Sequence, residues 1–320
     1  MENTPLIEVK NLKKYFKVPA GLNHAVDDVS FTIRAGETLG VVGESGCGKS
    51  TLGRTIIRLQ EATDGQVLLH GQDITHVGGH KLKEAREKLQ IVFQDPYSSL
   101  NPRLRIESTI MEPLKHSGRF HNKAELKEEA NRLMNLVGID ERLRQSYPHE
   151  LDGGRRQRVG IARALALNPE FVVCDEPVSA LDVSIQAQVL NLLMDLQDQM
   201  GMAYMFVTHD LSVVQHISDH ILVMYLGQAV EKAPTEELFK HQLHPYTKAL
   251  LSAIPSVDIH HPNQRIRLQG EITSPINPKP GCRFAARCPY ATEACQQPQT
   301  LEEVAPEHFV ACCRWNEIQG

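Results

Sequence analysis

The run Gly43-Glu44-Ser45-Gly46-Cys47-Gly48-Lys49-Ser50-Thr51 constrains this chain more than any other stretch, because it satisfies G-x-x-x-x-G-K-[ST] at every required position. Its flanks agree: Thr38 to Val42 reads as a short apolar strand, and Leu52 to Gln60 as the helix that follows. In that order the glycines let backbone N–H groups turn inward around phosphate oxygens, and the helix N-terminus adds the positive end of its dipole. Lys49 is the residue that reaches the β- and γ-phosphates, and the Ser50 hydroxyl is a ligand for Mg2+. The loop, with Gly43, Ser45, Gly46, Gly48, Lys49, Ser50 and Thr51, is expected to bind a nucleoside triphosphate.

Around this loop the pattern alternates. Residues 7 to 33 are β-rich, Gly65 to His70 and Leu89 to Phe93 read as further strands, and a polar stretch containing Gly78-Gly79 separates the last two. From Ile106 to Leu167 the apolar spacing turns helical, as in Leu126, Ala130, Leu133, Met134 and Val137. Strand character returns at 171–174, 203–207 and 221–225, each after a helical segment, which is the alternation of a parallel α/β sheet. Tyr246 to Ile254 is a further helix, and beyond Pro255 the prolines at 262, 275, 278 and 280 break any long element.

A chain of 320 residues has room for about two domains. Its 41% hydrophobic and 23% charged residues are those of an ordinary globular protein, and a formal net charge of -5 leaves no basic footprint for nucleic acid. The first residues carry no charged-then-apolar leader, and no apolar run approaches the roughly 18 residues of a membrane span. A cytoplasmic location is expected. Of seven cysteines, five crowd into positions 282 to 313, a clustering that in a reducing compartment suggests metal before disulfide.

Phe171-Val172-Val173-Cys174-Asp175-Glu176 is an apolar strand ending in two carboxylates. Such a pair is by itself a common solvated strand end; about 125 residues beyond a phosphate loop it suits Mg2+ binding by Asp175 and activation of the attacking water by Glu176.

With these go the segment Tyr147 to Arg158, Gln94 at the end of Ile91-Val92-Phe93, the loop Ser179-Ala180-Leu181-Asp182, and His209 after Met205-Phe206-Val207. Taken in this order, the motifs resemble those of ATP-binding cassette (ABC) ATPases over nearly the whole chain. The resemblance implies a P-loop NTPase cassette with a RecA-like parallel sheet core, an antiparallel β-subdomain, an inserted α-helical subdomain at about 96–167 and a Cys-rich extension. The ATPase domain is expected at 1–255 and the extension at 256–320. It further implies that two such subunits face each other head to tail, the phosphate loop of one closed by the signature of the other. Phe16, or its neighbour Tyr15, resembles the aromatic that stacks on adenine, with Phe16 favoured by spacing. Gln94 resembles the residue that senses Mg2+ and the water; His209 resembles the γ-phosphate contact, and Asp182 lies in the loop that crosses the dimer interface.

The signature segment departs from the usual L-S-G-G-Q. Asp152 stands in place of the serine, ahead of Gly153 and Gly154, and Arg155 in place of the glutamine. A carboxylate only accepts, and it carries the sign of the phosphate it would face. Two unit charges about 4 Å apart at an effective dielectric of about 20 repel by about 4 kcal/mol. The expectation is a heterodimer in which the site completed by Asp152 hydrolyses poorly, unless Arg155 or Arg156 offsets the charge or the glycine N–H groups do most of the binding.

Three further stretches resemble the ATPase subunits of oligopeptide and dipeptide importers, a group that includes nickel transporters, and among these the subunit lettered F: Leu243 to Leu251, Phe93 to Pro102, and Gly270 to Cys282. The implied partners are a second homologous ATPase, two transmembrane permease subunits and, indirectly, an extracytoplasmic substrate-binding protein, with the chain peripheral on the cytoplasmic face of the membrane. Cys282, Cys288, Cys295 and one of Cys312 and Cys313 contain no C-x-x-C pair, and thiolates alone suit iron–sulfur or zinc. In the importer group this pattern implies a four-iron four-sulfur cluster; Zn2+ and free thiols are the alternatives. His260 and His261 read as solvated loop residues. A soluble non-transport ABC ATPase would need a coiled-coil insertion or a second cassette, and a regulatory nucleotide-binding protein fits poorly with Lys49, Asp175, Glu176 and His209 all in place.

Overall fold

The computed structural model describes residues 4–120, 122–254, 265–271 and 273–318. The expectations on Pro255, Pro262, His260, His261 and the 255/256 domain boundary lie outside the described residues.

Hydrophobic alternation builds the first strands: β1 (Ile7–Val18) and β2 (Gly21–Ile33) bury Ile7, Val9, Leu12, Val26, Val29, Phe31 and Ile33. After β3 (Thr38–Val42) come α1 (Lys49–Ile56), β4 (Asp64–Leu69) and β5 (Gln72–Asp73). The polar stretch after Gly78 is a helix, α2 (Gly79–Lys88), which buries only Ala85 and so shows little apolar periodicity. It leads into β6 (Leu89–Val92), α3 (Pro96–Ser99), α4 (Ile106–Ser117), α5 (Lys123–Leu136) and α6 (Gly153–Leu165). Then follow β7 (Phe171–Asp175), α7 (Val183–Met200), β8 (Ala203–Val207), α8 (Leu211–Ile217), β9 (His220–Tyr225) and β10 (Gln228–Pro234). The chain continues through α9 (Thr235–Lys240), α10 (Pro245–Ser252), β11 (Glu302–Ala305) and β12 (His308–Val310).

The chain forms two compact units, Met1–Ile33 with Thr38–His76 and Phe206–Gly320, and Arg34–Glu37 with Val77–Met205. The first holds an antiparallel sheet in the order β2-β1-β4-β5. It also holds the strand run β11-β12-β10-β9-β3, in which β3 and β9 are parallel and every residue of both is buried. β10 turns back antiparallel to β9 and carries β12 on its other edge. Neither β10 nor the β11–β12 hairpin is marked by strand periodicity in the sequence: β10 mixes Glu231 and Lys232 among its alanines, and β11 and β12 have only four and three residues.

In the second unit β6 and β7 pair in parallel, Leu89 beside Phe171 and Val92 beside Cys174. Its helices pack through Ile106, Ile110 and Leu114 of α4, Ala130, Leu133 and Met134 of α5, and Val159 and Ile161 of α6. Between α5 and α6 the expected helical block contains 3-10 turns at Glu141–Gln145 and Pro148–Glu150. Asn122 caps α5 by accepting from the Ala124 and Glu125 N–H groups.

Candidate nucleotide site

β3 delivers the chain to the phosphate loop. Gly43 (φ 151°), Gly46 (φ 77°) and Gly48 (φ 105°) all hold conformations that side chains resist. Space forbids a side chain as well: a Cβ on Gly43 would lie 2.2 Å from the Met224 carbonyl oxygen, and one on Gly48 would lie 1.9 Å from that of Ala25. Gly48 directly precedes α1, so the loop runs into the N-terminus of that helix. Lys49 is 4% exposed, and its ammonium donates to the Gly43 carbonyl at 2.8 Å and the Glu44 carbonyl at 3.0 Å. A buried ammonium held by neutral carbonyls in a concave backbone loop is suited to receive phosphate oxygens in their place. Ser45 and Gly46 are exposed, Ser50 and Thr51 half-buried.

The loop is braced from outside the motif. The Glu44 N–H donates to Tyr246 Oη at 2.9 Å, and the Glu44 carboxylate accepts two bonds from Arg287 Nη1 at 2.9 and 3.1 Å. On β1, Tyr15 and Phe16 are both half-buried. Tyr15 stacks on His24 with ring centroids 3.9 Å apart and donates its hydroxyl to Asp27, whereas Phe16 carries the Lys14 ammonium 5.0 Å from its ring centroid. Burial and the Asp27 carboxylate together push the Tyr15 hydroxyl well above its ordinary range. Burial also works against ionised Asp27, but hydrogen bonds from Tyr15 and His24 and the charge of Arg283 outweigh it and hold that carboxyl low. His209 is exposed at the end of the segment after β8. Sequence reasoning missed Asp27, Tyr246, Arg283 and Arg287; the only signal was a pair of arginines four apart between Cys282 and Cys288.

In the second unit Asp175 ends β7 fully buried, and Glu176 follows at φ 46°, a left-handed conformation costly for a side chain with a Cβ. The Gln94 amide, on the segment after β6, donates to Glu176 Oε2 at 2.7 Å. These two expected site residues are therefore in direct contact.

Asp152 is the N-cap of α6: its carboxylate accepts from the Arg155 N–H at 2.7 Å and faces the Arg155 guanidinium at 3.4 Å. Arg156 is spent elsewhere, donating to the carbonyls of Pro148 and His149 and lying 3.8 Å over the Tyr97 ring. Of the two arginines considered as compensating charges, Arg155 is the one beside Asp152. Gly154 admits no side chain, since its Cβ would come within 2.5 Å of Ile185 Cγ2, and a Cβ on Gly153 would lie 3.1 Å from Leu181. The signature glycines and the loop of Asp182, which precedes α7, are thus packed together.

Cys282, Cys288, Cys295, Cys312 and Cys313 line one small cavity with Phe284 and Tyr290, and all are free thiols. Among the described residues no group of three or more His, Cys, Asp or Glu side chains has the closeness of a formed metal site. Burial pushes the Cys282 thiol up to about 11, and the neighbouring sulfurs act in the same direction. Of the five, Cys295 is buried, Cys282, Cys288 and Cys312 are half-buried and Cys313 is exposed.

The chain matches the ABC transporter family over residues 26–179 and the oligopeptide/dipeptide transporter C-terminal region over residues 230–295. It is 50% identical to the oligopeptide transport ATP-binding protein AppF of Bacillus subtilis (strain 168), over 96% of both chains. It is 49% identical to the dipeptide transport ATP-binding protein DppF of Haemophilus influenzae, over 97% of both. A solved structure of the dimeric ATP-binding cassette MJ0796, in a post-hydrolysis state bound to ADP and Pi, superposes with a TM-score of 0.66 at 29% identity, covering 72% of this chain and 98% of that one.

Proposed function

The chain belongs to the ABC transporter ATP-binding proteins, in their oligopeptide and dipeptide branch, and on that premise we propose that it is the ATP-hydrolysing subunit of an importer of peptides or related small solutes. The observation that carries the reading is the phosphate loop itself: three glycines in conformations closed to other residues, with the Lys49 ammonium held at its centre. ATP supplies the phosphoanhydride bond and Mg2+ the charge that balances the phosphates.

This chain's own residues take the following parts. Lys49 binds the β- and γ-phosphates in place of the carbonyls it now contacts. Ser50 and Asp175 would hold Mg2+, and Gln94 would sense it. Glu176 accepts a proton from the attacking water, and its 2.7 Å bond from Gln94 fixes the carboxylate that does so. His209 contacts the γ-phosphate, and Tyr15 or Phe16 stacks on the adenine. Asp152, Gly153, Gly154 and Asp182 act across a dimer interface on the nucleotide of a second, homologous ATPase.

The architecture in this reading is the cassette at 1–255, with its helical subdomain at about 96–167, and the extension at 256–320. The chain works on the cytoplasmic face of the membrane beside two permease subunits that receive solute from a substrate-binding protein. No helix among the described residues is long and apolar enough to cross a membrane. A metal–thiolate centre, a four-iron four-sulfur cluster or else Zn2+, belongs to the extension in this reading; its support is the single cavity shared by five thiols.

ATPase activity of the chain alone and mixed with its candidate partner ATPase tests the proposal. Turnover that appears in the mixture and vanishes with Glu176→Gln supports a heterodimeric engine with its working site here. A mixture without activity, or activity indifferent to Glu176→Gln, overturns it.

A further inference from the structure

Between Cys282 and Cys288 the chain makes one short 3-10 turn at Ala285–Arg287, and its side chains divide by direction. The cysteines at its ends line the thiol cavity, and Phe284 is buried against Tyr225, Tyr246 and His244 at centroid distances of 5.3, 5.4 and 5.6 Å. The two arginines reach the candidate nucleotide site. Arg287, with 9% of its side chain exposed, holds both carboxylate oxygens of Glu44, the second residue of the phosphate loop. Arg283, with 6% exposed, bonds the Leu226 carbonyl and the Asp27 carboxylate, and Asp27 in turn accepts from the Tyr15 hydroxyl.

We infer that Arg283 and Arg287 are positioning residues for the nucleotide, Arg287 acting through Glu44 on the phosphate loop and Arg283 acting through Asp27 on the aromatic strand β1, so that the C-terminal segment sets the affinity of the site for ATP. This rests on the nucleotide reading above and names what regulates that site. Glu44 places a carboxylate in a loop built to receive anions, and its carbonyl is one of the groups that hold Lys49. Unpaired, that charge repels phosphate and competes for the ammonium. Arg287 neutralises it and fixes it from the side, while Tyr246 pins the same residue by its backbone. Loss of Arg287 removes the cation paired with the half-buried Glu44 carboxylate, whereas loss of Arg283 leaves Asp27 held by Tyr15 and His24 alone.

The experiment measures dissociation constants of the full chain for ATP and for inorganic tripolyphosphate, with thermal unfolding as a control. Arg287→Ala is expected to weaken both ligands by about tenfold, the scale of one screened charge contact. Adding Glu44→Gln to Arg287→Ala is expected to bring both back to within about threefold of the original chain. Arg283→Ala is expected to weaken ATP several-fold through Asp27 and Tyr15 and tripolyphosphate less, because its route to the phosphate loop is the indirect one from Leu226 through the Gly227 N–H to the Cys47 carbonyl. Affinities within about twofold of the original in both single variants, or a loss that Glu44→Gln does not reverse, overturn the inference. Should Arg287→Ala fail to fold, the pair Arg287→Gln with Glu44→Gln keeps the volume without the charges: near-original affinity supports the inference and a large loss overturns it. An unaltered chain that binds no ATP overturns the nucleotide reading instead.

Discussion

Gln94 and Glu176, 82 positions apart, meet through one hydrogen bond in which the Gln94 amide donates to Glu176 Oε2 at 2.7 Å. The contact ties the segment after β6 to the carboxylate that ends the β7 turn, where Glu176 is held at φ 46°. The φ of Glu176 is one that side chains with a Cβ adopt only at a cost, and the Gln94 bond gives its carboxylate a defined partner.

Glu176→Gln keeps an oxygen that accepts from Gln94 and removes only the proton acceptor. Steady-state ATPase activity is expected to fall at least about a hundredfold, the usual worth of general base catalysis, while the dissociation constant for ATP stays near that of the original chain. A comparable fall in affinity would show that Glu176 acts on binding rather than on the water.

Asp152 caps α6 through the Arg155 N–H. Serine is also a good N-cap, so Asp152→Ser is expected to leave thermal stability unchanged, whereas Asp152→Ala costs about 1 kcal/mol. If the carboxylate repels the nucleotide of the partner ATPase, Asp152→Ser raises ATPase activity of the pair. No gain, or a loss, would mean that Arg155, 3.4 Å away, already offsets the charge.

His244 is 1% exposed and caps α10 by accepting from the Tyr246 N–H at 3.1 Å. Burial pushes its pKa down to about 4, against the opposing pull of Glu231. From pH 6.5 down to about 4 the unfolded chain therefore binds a proton at His244 that the folded chain refuses. Stability from this group is complete above pH 6.5 and declines as pH falls toward 4, by up to about 3 kcal/mol in all. His244→Asn keeps a cap acceptor without the titration. Urea unfolding at pH 7, 6 and 5 is expected to show a shallower loss for this variant; identical slopes would mean that His244 is not the group responsible.

The metal–thiolate centre proposed for the C-terminal extension is tested by the metal content of the chain. Chain purified without oxygen is expected to show broad visible absorbance and bound iron if a cluster fills it, or zinc without colour if Zn2+ does. Cys282→Ser or Cys295→Ser is expected to abolish whichever is present. Metal-free protein that is fully folded would leave the five cysteines as packed thiols.

The phosphate loop, the Asp175-Glu176 strand end, Gln94, the signature glycines and the cysteine cluster were all legible in the sequence. The phosphate loop and the Asp175-Glu176 strand end are runs of contiguous residues whose backbone conformation is local, as at Gly43 and Gly48, where only glycine fits, whereas the cysteines, spread over 282 to 313, show only as a crowding of one residue type. Helix α2 and strands β10 to β12 were not, because α2 buries only Ala85, β10 mixes Glu231 and Lys232 among its alanines, and β11 and β12 are too short to leave a periodic trace. What the tertiary structure alone decided is who answers each charge. Asp27 and Arg283 are 256 positions apart, and Glu44 and Arg287 are 243 apart. No local propensity records such pairs; they exist because folding brings the C-terminal segment against β2 and the phosphate loop, where half-buried carboxylates meet arginines that are themselves largely buried.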